Sequence, residues 1–169
     1  MNNMIKIVAA IMSLSMFTVP AFAGQAEIDW VDPDKYTDIR PGNESRSKMQ
    51  KRVFKELGKH FSELAAKLPE GQTLKISVTN IDLAGDVRYM VGPNNDTIRI
   101  VEDLYFPKMK FDYQLINSDK SIISTAKADI KDMSFNTGVR SSMSSEAFQY
   151  EKNMIDDWFY KAFPETKEK

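Results

Sequence analysis

The sequence predicts an α+β domain: one mainly antiparallel sheet of four to five strands, covered on one face by two amphipathic helices in a two-layer sandwich. Three observations carry this. Two segments, one early and one late in the chain, repeat apolar side chains at three- and four-residue steps, the period of a helix with one buried side. Between them lie segments in which apolar and polar residues alternate, the period of a strand with one dry and one wet face. The order strand, helix, three or four strands, helix buries both helical stripes when the helices share one face of the sheet.

Residues 1–23 read as a cleavable signal peptide. Lys6 lies in a short polar region, an apolar run covers 7–19, and Ala21 and Ala23 supply the small residues that signal peptidase needs, so cleavage is expected between Ala23 and Gly24. The apolar run is too short to span a bilayer, which takes about 20 residues. No membrane anchor is therefore expected after cleavage, and residues 24–169 should form a single domain. The chain has no cysteine. Disulfides, thiolate metal sites, thiol redox chemistry and lipoprotein anchoring are thereby excluded, and an exported core must hold itself together unaided. A formal net charge of −1 gives no overall field for nucleic acid.

The elements follow in order. Residues 27–32 alternate, with Ile28 and Trp30 on one side, and stop at Pro33, which cannot donate to a ladder. Residues 32–43 hold turn formers and read as a loop. From 45 to 68, Met49, Val53, Phe54, Leu57, Phe61, Leu64, Ala65 and Leu68 form a helical stripe, with Asn43 or Ser45 as cap, Glu63 one turn before Lys67, and Pro69 to Gly71 as the stop. Residues 73–79 alternate with Leu74, Ile76 and Val78 inward, but beyond Asn80 the apolar residues are Ile81 and Leu83. That change of phase requires a bulge or sharp bend near Asn80, with the strand leaving the sheet at Gly85.

Residues 91–96, Val-Gly-Pro-Asn-Asn-Asp, are a strong turn signal, and 97–101 a strand. Residues 108–115 and 122–130 read as an antiparallel hairpin, with Met109, Phe111, Tyr113 and Leu115 facing Ile122, Ala126, Ala128 and Ile130 on its dry side. The serine-rich stretch 133–145 has no period and reads as a mobile loop. Residues 146–163 give the second helix, stopped by Pro164, and the polar tail is expected to fray.

The chemistry is sparse. His60 is the one histidine, placed on a helix near the edge of its apolar stripe, where a boundary role is expected. One imidazole without a thiol suits zinc poorly. Acids are plentiful: Asp29, Asp32, Asp34, Asp38, Asp82, Asp86, Asp156 and Asp157. The stretch 82–86 lacks the alternating oxygens of a calcium loop, and spacing alone shows no carboxylate pair astride a sugar cleft. Tyr150, Met154, Trp158 and Phe159 fit either a docking surface or a core face, with the core face the expected use. Lys108 and Lys110 beside Phe106 and Phe111 belong to the solvated side of an alternating strand.

The blocks Trp30-Val-Asp-Pro33, Tyr36-Thr-Asp-Ile-Arg40-Pro41, Leu68-Pro-Glu-Gly-Gln72, Ile81-Asp-Leu-Ala-Gly-Asp-Val-Arg88, Tyr150-Glu-Lys152 and Asp156-Asp-Trp-Phe159 together resemble domain-of-unknown-function family 3016. The resemblance implies an exported, periplasmic protein of Gram-negative bacteria and supplies no catalytic residues. It marks the loop 37–41 and the turn 82–88 as family features.

Two readings of those features stand open. Gly85 can supply a positive backbone angle, with Asp82 or Asp86 accepting from nearby amides, so that the motif is turn chemistry. Alternatively Asp38, Arg40, Asp82 and Arg88, with Asp86 beside them, converge at one end of the sheet and either pair with each other or leave a guanidinium free for a small anionic ligand. The expected function is a non-enzymatic binding or adaptor domain of the cell envelope, acting through the sheet end or the open sheet face on an envelope protein or a small anion. The alternative is a carboxylate-dependent hydrolase or lyase acting on envelope glycans, with Asp38, Asp82 or Asp86 as acid and base. No cofactor and no nucleic-acid partner are expected.

Overall fold

A computed structural model describes residues 23–91, 93–137 and 146–167. The expected signal peptide therefore lies outside the described residues except for Ala23, as does the part of the expected loop at 138–145. The elements are β1 (Gln25–Trp30), α1 (Arg46–Ala65), β2 (Thr73–Asp82), β3 (Asp86–Val91), β4 (Asp96–Ile100), β5 (Lys108–Ile116), β6 (Ile122–Lys131) and α2 (Gln149–Ala162), with short 3-10 turns at Pro33–Lys35 and Pro164–Thr166. The chain is α+β as expected, but it builds two sheets. Four strands pair in the order β1-β2-β5-β6, and β3 and β4 pair with each other alone. β1 runs parallel to β2, with α1 as the crossover, and the other pairings are antiparallel.

The register sorts side chains by face. Trp30, Val78, Phe111 and Ala128 stand in one row, and Ile28, Ile76, Tyr113 and Ala126 in the next. Both rows face the helices, whose buried residues include Val53, Leu57, Phe61, Met154, Ile155 and Phe159. The opposite face carries cross-strand ion pairs: Lys75 to Glu27 at 3.0 Å, Lys108 to Asp82 at 3.0 Å, Lys110 to Asp129 at 3.1 Å and Lys127 to Asp112 at 3.4 Å. Lys108 and Lys110 thus occupy the wet side while Phe111 is buried. Charged side chains dominate that face.

The phase change in β2 is a bulge. The pairing steps from Val78↔Phe111 to Asn80↔Lys110, so Thr79 is the extra residue and Ile81 returns to the core. Asn80 secures it from outside, accepting from the Thr37 amide at 2.8 Å and donating to the Thr37 hydroxyl at 2.9 Å. A second bulge lies in β6, where Leu115↔Ser124 is followed by Ile116↔Ile122. Ile123 is the extra residue, and Ile122 shifts to the open face, 60% exposed. Ile122 therefore does not share the dry side with Ala128 and Ile130, and the hairpin's second strand is a largely exposed edge.

Ser45 caps α1, accepting from the Lys48 amide at 3.3 Å. The expected Glu63–Lys67 pair is replaced: Glu63 meets Lys59, and Lys67 donates to the Tyr160 hydroxyl of α2. Trp158 packs edge-on against Phe61, Phe111 and Tyr113, with centroids 6.2, 4.7 and 5.1 Å away, and Met154 and Phe159 are buried. The aromatic stripe of α2 is therefore core. His60 Nε2 lies 2.8 Å from Asp156 Oδ1, a polar bridge between the two helices at the margin of that core.

Candidate functional site

Beyond Pro33–Lys35 the chain returns to the end of β2. The Tyr36 hydroxyl donates to the Val78 carbonyl at 2.8 Å, and burial, aided by Asp29 and Asp32, pushes the phenol's pKa up. The Asp38 amide donates to Ile81 and the Leu83 amide donates to the Asp38 carbonyl, so Asp38 is held against the strand just where β2 ends.

Asp38 is 5% exposed, and its carboxylate is the centre of a charge cluster. Arg40 donates to it through its amide at 2.9 Å, Nε at 3.0 Å and Nη2 at 3.3 Å, and Arg99 of β4 through Nη1 at 3.0 Å and Nη2 at 3.2 Å. Burial works against its charged form, but these hydrogen bonds outweigh burial and hold the carboxyl below the usual carboxylate range. Arg40 Nη2 also reaches Asp86 at 2.8 Å, and Arg88 bridges Asp86 and Glu102, each at 3.2 Å. Arg99 further donates to the carbonyls of Ala84 at 3.3 Å, Gly85 at 2.9 Å and Arg40 at 3.1 Å.

Four of the five sequence-predicted residues, Asp38, Arg40, Asp86 and Arg88, thus join one network in which they pair with each other. Asp82 does not belong to it: its carboxylate meets Lys108 on the open face. Gly85 has a positive φ of 80° as expected, its amide donates to the Tyr105 carbonyl at 2.8 Å, and a Cβ there would collide with the Ile100 carbonyl. The carboxylate that caps this turn is neither Asp82 nor Asp86. It is Glu151, from the first turn of α2, which accepts from the Ala84 amide at 2.7 Å. Glu151 is 3% exposed, and burial raises its pKa against the pull of that amide.

Arg99 and Glu151 are the residues sequence reasoning missed. A signal existed for the second, since Glu151 stands three and four residues before Met154 and Ile155, on the apolar stripe, where a charge needs a buried partner. Arg99 carries no such mark, because an arginine alternating with isoleucines reads as the wet side of a strand.

Beside this network opens a cleft of about 640 Å³ between the start of α1, the β2–β3 turn, β4 and the start of α2. Arg40, Arg52 and Arg99 line it together with Glu44, Glu146 and Glu151 and with the apolar Met49, Leu83, Val101 and Phe148. Arg52 is half exposed. It pairs with Glu44 through Nη2 and lies 5.4 Å from the centre of the Phe148 ring. Phe148, the residue before α2, holds a left-handed φ of 59° without glycine's freedom. Among the described residues no three His, Asp or Glu side chains are grouped to hold a metal ion, and no helix is long and apolar enough to cross a membrane.

The fold and site define an α+β protein with a mainly antiparallel sheet, two helices and a two-stranded arm, locked at one end of its main sheet by arginine–carboxylate pairs beside an open cleft. Residues 24–161 match the family described as a protein of unknown function, DUF3016, and the chain belongs to that family. No curated protein matches it.

Proposed function

We propose that this is an exported, periplasmic binding protein that takes a small anionic ligand with an apolar body in the cleft beside the Arg40–Asp38–Arg99 cluster. The observation that carries the reading is the composition of that cleft. Its volume falls within the range of about 300–1,000 Å³ usual for small-molecule sites, and it sets apolar walls beside three arginines, with Glu44 held by Arg52 and Glu151 turned to the Ala84 amide. Arg40 is committed to Asp38 and Asp86, and Arg99 to Asp38 and three main-chain carbonyls, so they pre-organise the wall. Arg52, half exposed and bound through one nitrogen, is the cation able to face a carboxylate or phosphate.

Export is supported by the leader pattern and by the start of the family match at Gly24, one residue after the expected cut. Gly24 packs against the end of α1 at Ala65 and Leu68, where a larger residue would not fit. A glycan hydrolase built on Asp38, Asp82 or Asp86 draws no support from the geometry, since each of those carboxylates is bonded to a cation and none of them lines the cleft.

Titration with a medium-chain fatty carboxylate and with the matching alcohol, read by melting temperature and calorimetry, tests the reading. The carboxylate is expected to bind and to raise the melting temperature, the alcohol to bind at least about tenfold more weakly, and Arg52→Ala to abolish the difference while leaving the unliganded melting temperature nearly unchanged. Equal binding of acid and alcohol, or binding untouched by Arg52→Ala, refutes it. N-terminal sequencing of the protein recovered from a periplasmic fraction is expected to begin at Gly24.

A further inference from the structure

We propose that the chain forms a two-fold dimer with a second copy of itself through the free edge of β6, in antiparallel register about Ala128, making one continuous eight-stranded sheet. Among the described residues β6 pairs with β5 on one side only, and its ten residues are the longest unpaired edge of the four-stranded sheet. Such an edge presents a row of unpaired amides and carbonyls to any strand that can match it. The helical layer leaves it open, for a groove of about 300 Å³ separates Ile130 and Lys131 from Met154, Trp158 and Lys161 of α2.

The side chains choose the partner and the register. On the open face, Lys127 pairs with Asp112 of β5, and Asp129 with Lys110. An antiparallel copy centred on Ala128 places Lys127 opposite the second copy's Asp129, and Asp129 opposite its Lys127. The charges then alternate without a break from Asp112 through Lys127 into the second copy's Asp129 and Lys110, and symmetry supplies the same row again. On the helix side the same register sets Ala126 opposite Ile130, covering an exposed alanine beside a half-buried isoleucine.

The neighbouring registers are poorer. Centring on Lys127 puts two ammonium groups face to face, and centring on Ala126 draws in Ile122 and Ile123, where the bulge breaks the regular edge. The Ala128 register uses Thr125 to Lys131 alone, all within the regular ladder. One short strand pair buries little surface, below about 1,200 Å², so the dimer should be reversible and dependent on concentration and salt.

Sedimentation velocity of the purified protein, from low micromolar to near-millimolar concentration, is expected to show monomer passing to dimer, with amide-exchange protection growing at 125–131 as it does. Lys127→Glu and Asp129→Lys should each weaken association by about tenfold or more, and the double exchange K127E/D129K should restore it, while the melting temperature of the dilute monomer changes little in all three. Restoration by the exchange is a result that a merely structural role for either residue would not give. A monomer at every concentration, a dimer indifferent to either single reversal, or single losses that the double exchange fails to repair overturns the proposal.

Discussion

Arg99 donates to Asp38 and to the carbonyls of Ala84, Gly85 and Arg40, so one side chain joins β4, the β2–β3 turn and the loop after β1. Its planar fork is what allows this, since a lysine in its place could satisfy at most part of the set. Arg99→Leu leaves a buried carboxylate with Arg40 alone and three carbonyls without this donor. The expected cost is about 2–4 kcal/mol in denaturant unfolding. Arg88→Ala, which removes a half-exposed bridge between Asp86 and Glu102, should cost less than about 1 kcal/mol. Equal losses for the two variants would show that burial of Asp38 does not govern the cluster.

At the level of elements, the two-stranded arm depends on how the chain leaves β2. Gly85, with φ at 80° and its Cα against the Ile100 carbonyl, allows the reversal that β3 needs, and Glu151 of α2 fastens the same turn from the other side. Gly85→Ala therefore meets both an unfavourable backbone region and a collision with main chain. We expect a loss of about 2–4 kcal/mol and a chemical-shift change concentrated in β3, β4 and the Asp38 loop. A melting temperature within experimental scatter of the parent would sink this account of the turn. The arm's own bulge leaves Tyr89 and Met90 exposed, with Met90 at a positive φ of 58°. The structure offers no reason for that conformation.

For the whole molecule, two buried acids give opposite responses to pH. Asp38 titrates below its ordinary value of 3.8 when folded, so the unfolded chain takes up the proton first and stability falls as the pH drops below about 3.8. Glu151 titrates above its ordinary value of 4.5, so the folded protein holds the proton more tightly, and stability declines as the pH rises from about 4.5 through the raised value. Glu151→Gln keeps an acceptor for the Ala84 amide and removes the charge. It should match the parent in urea unfolding near pH 4.5 and exceed it increasingly toward neutrality. A difference that stays constant across that range would show that the Glu151 charge carries no burial penalty.

The helical stripes of α1 and α2, a break in phase near Asn80, a cap for α1 at Asn43 or Ser45 and, as one of two readings, a convergence of Asp38, Arg40 and Arg88 were legible in the sequence, while Asp82, expected among them, meets Lys108 instead. Each of them follows from period, phase or the local chemistry of neighbouring residues. Whether the alternating segments form one sheet or two was not legible, because periodicity states which side of a strand is dry but never which strand it will pair with. The shift of Ile122 to the open face was hidden for the same reason, since the bulge at Ile123 exists only relative to β5. Arg99 and Glu151 became visible as site residues only when chain returns of 61 and 67 residues brought them to Asp38 and Ala84. The sequence by itself determined the class of the elements and their buried faces, which depend on short-range spacing. Tertiary structure alone decided the strand partners, the counter-charges and the cleft, because those are properties of segments remote in the chain that hydrophobic burial forces together.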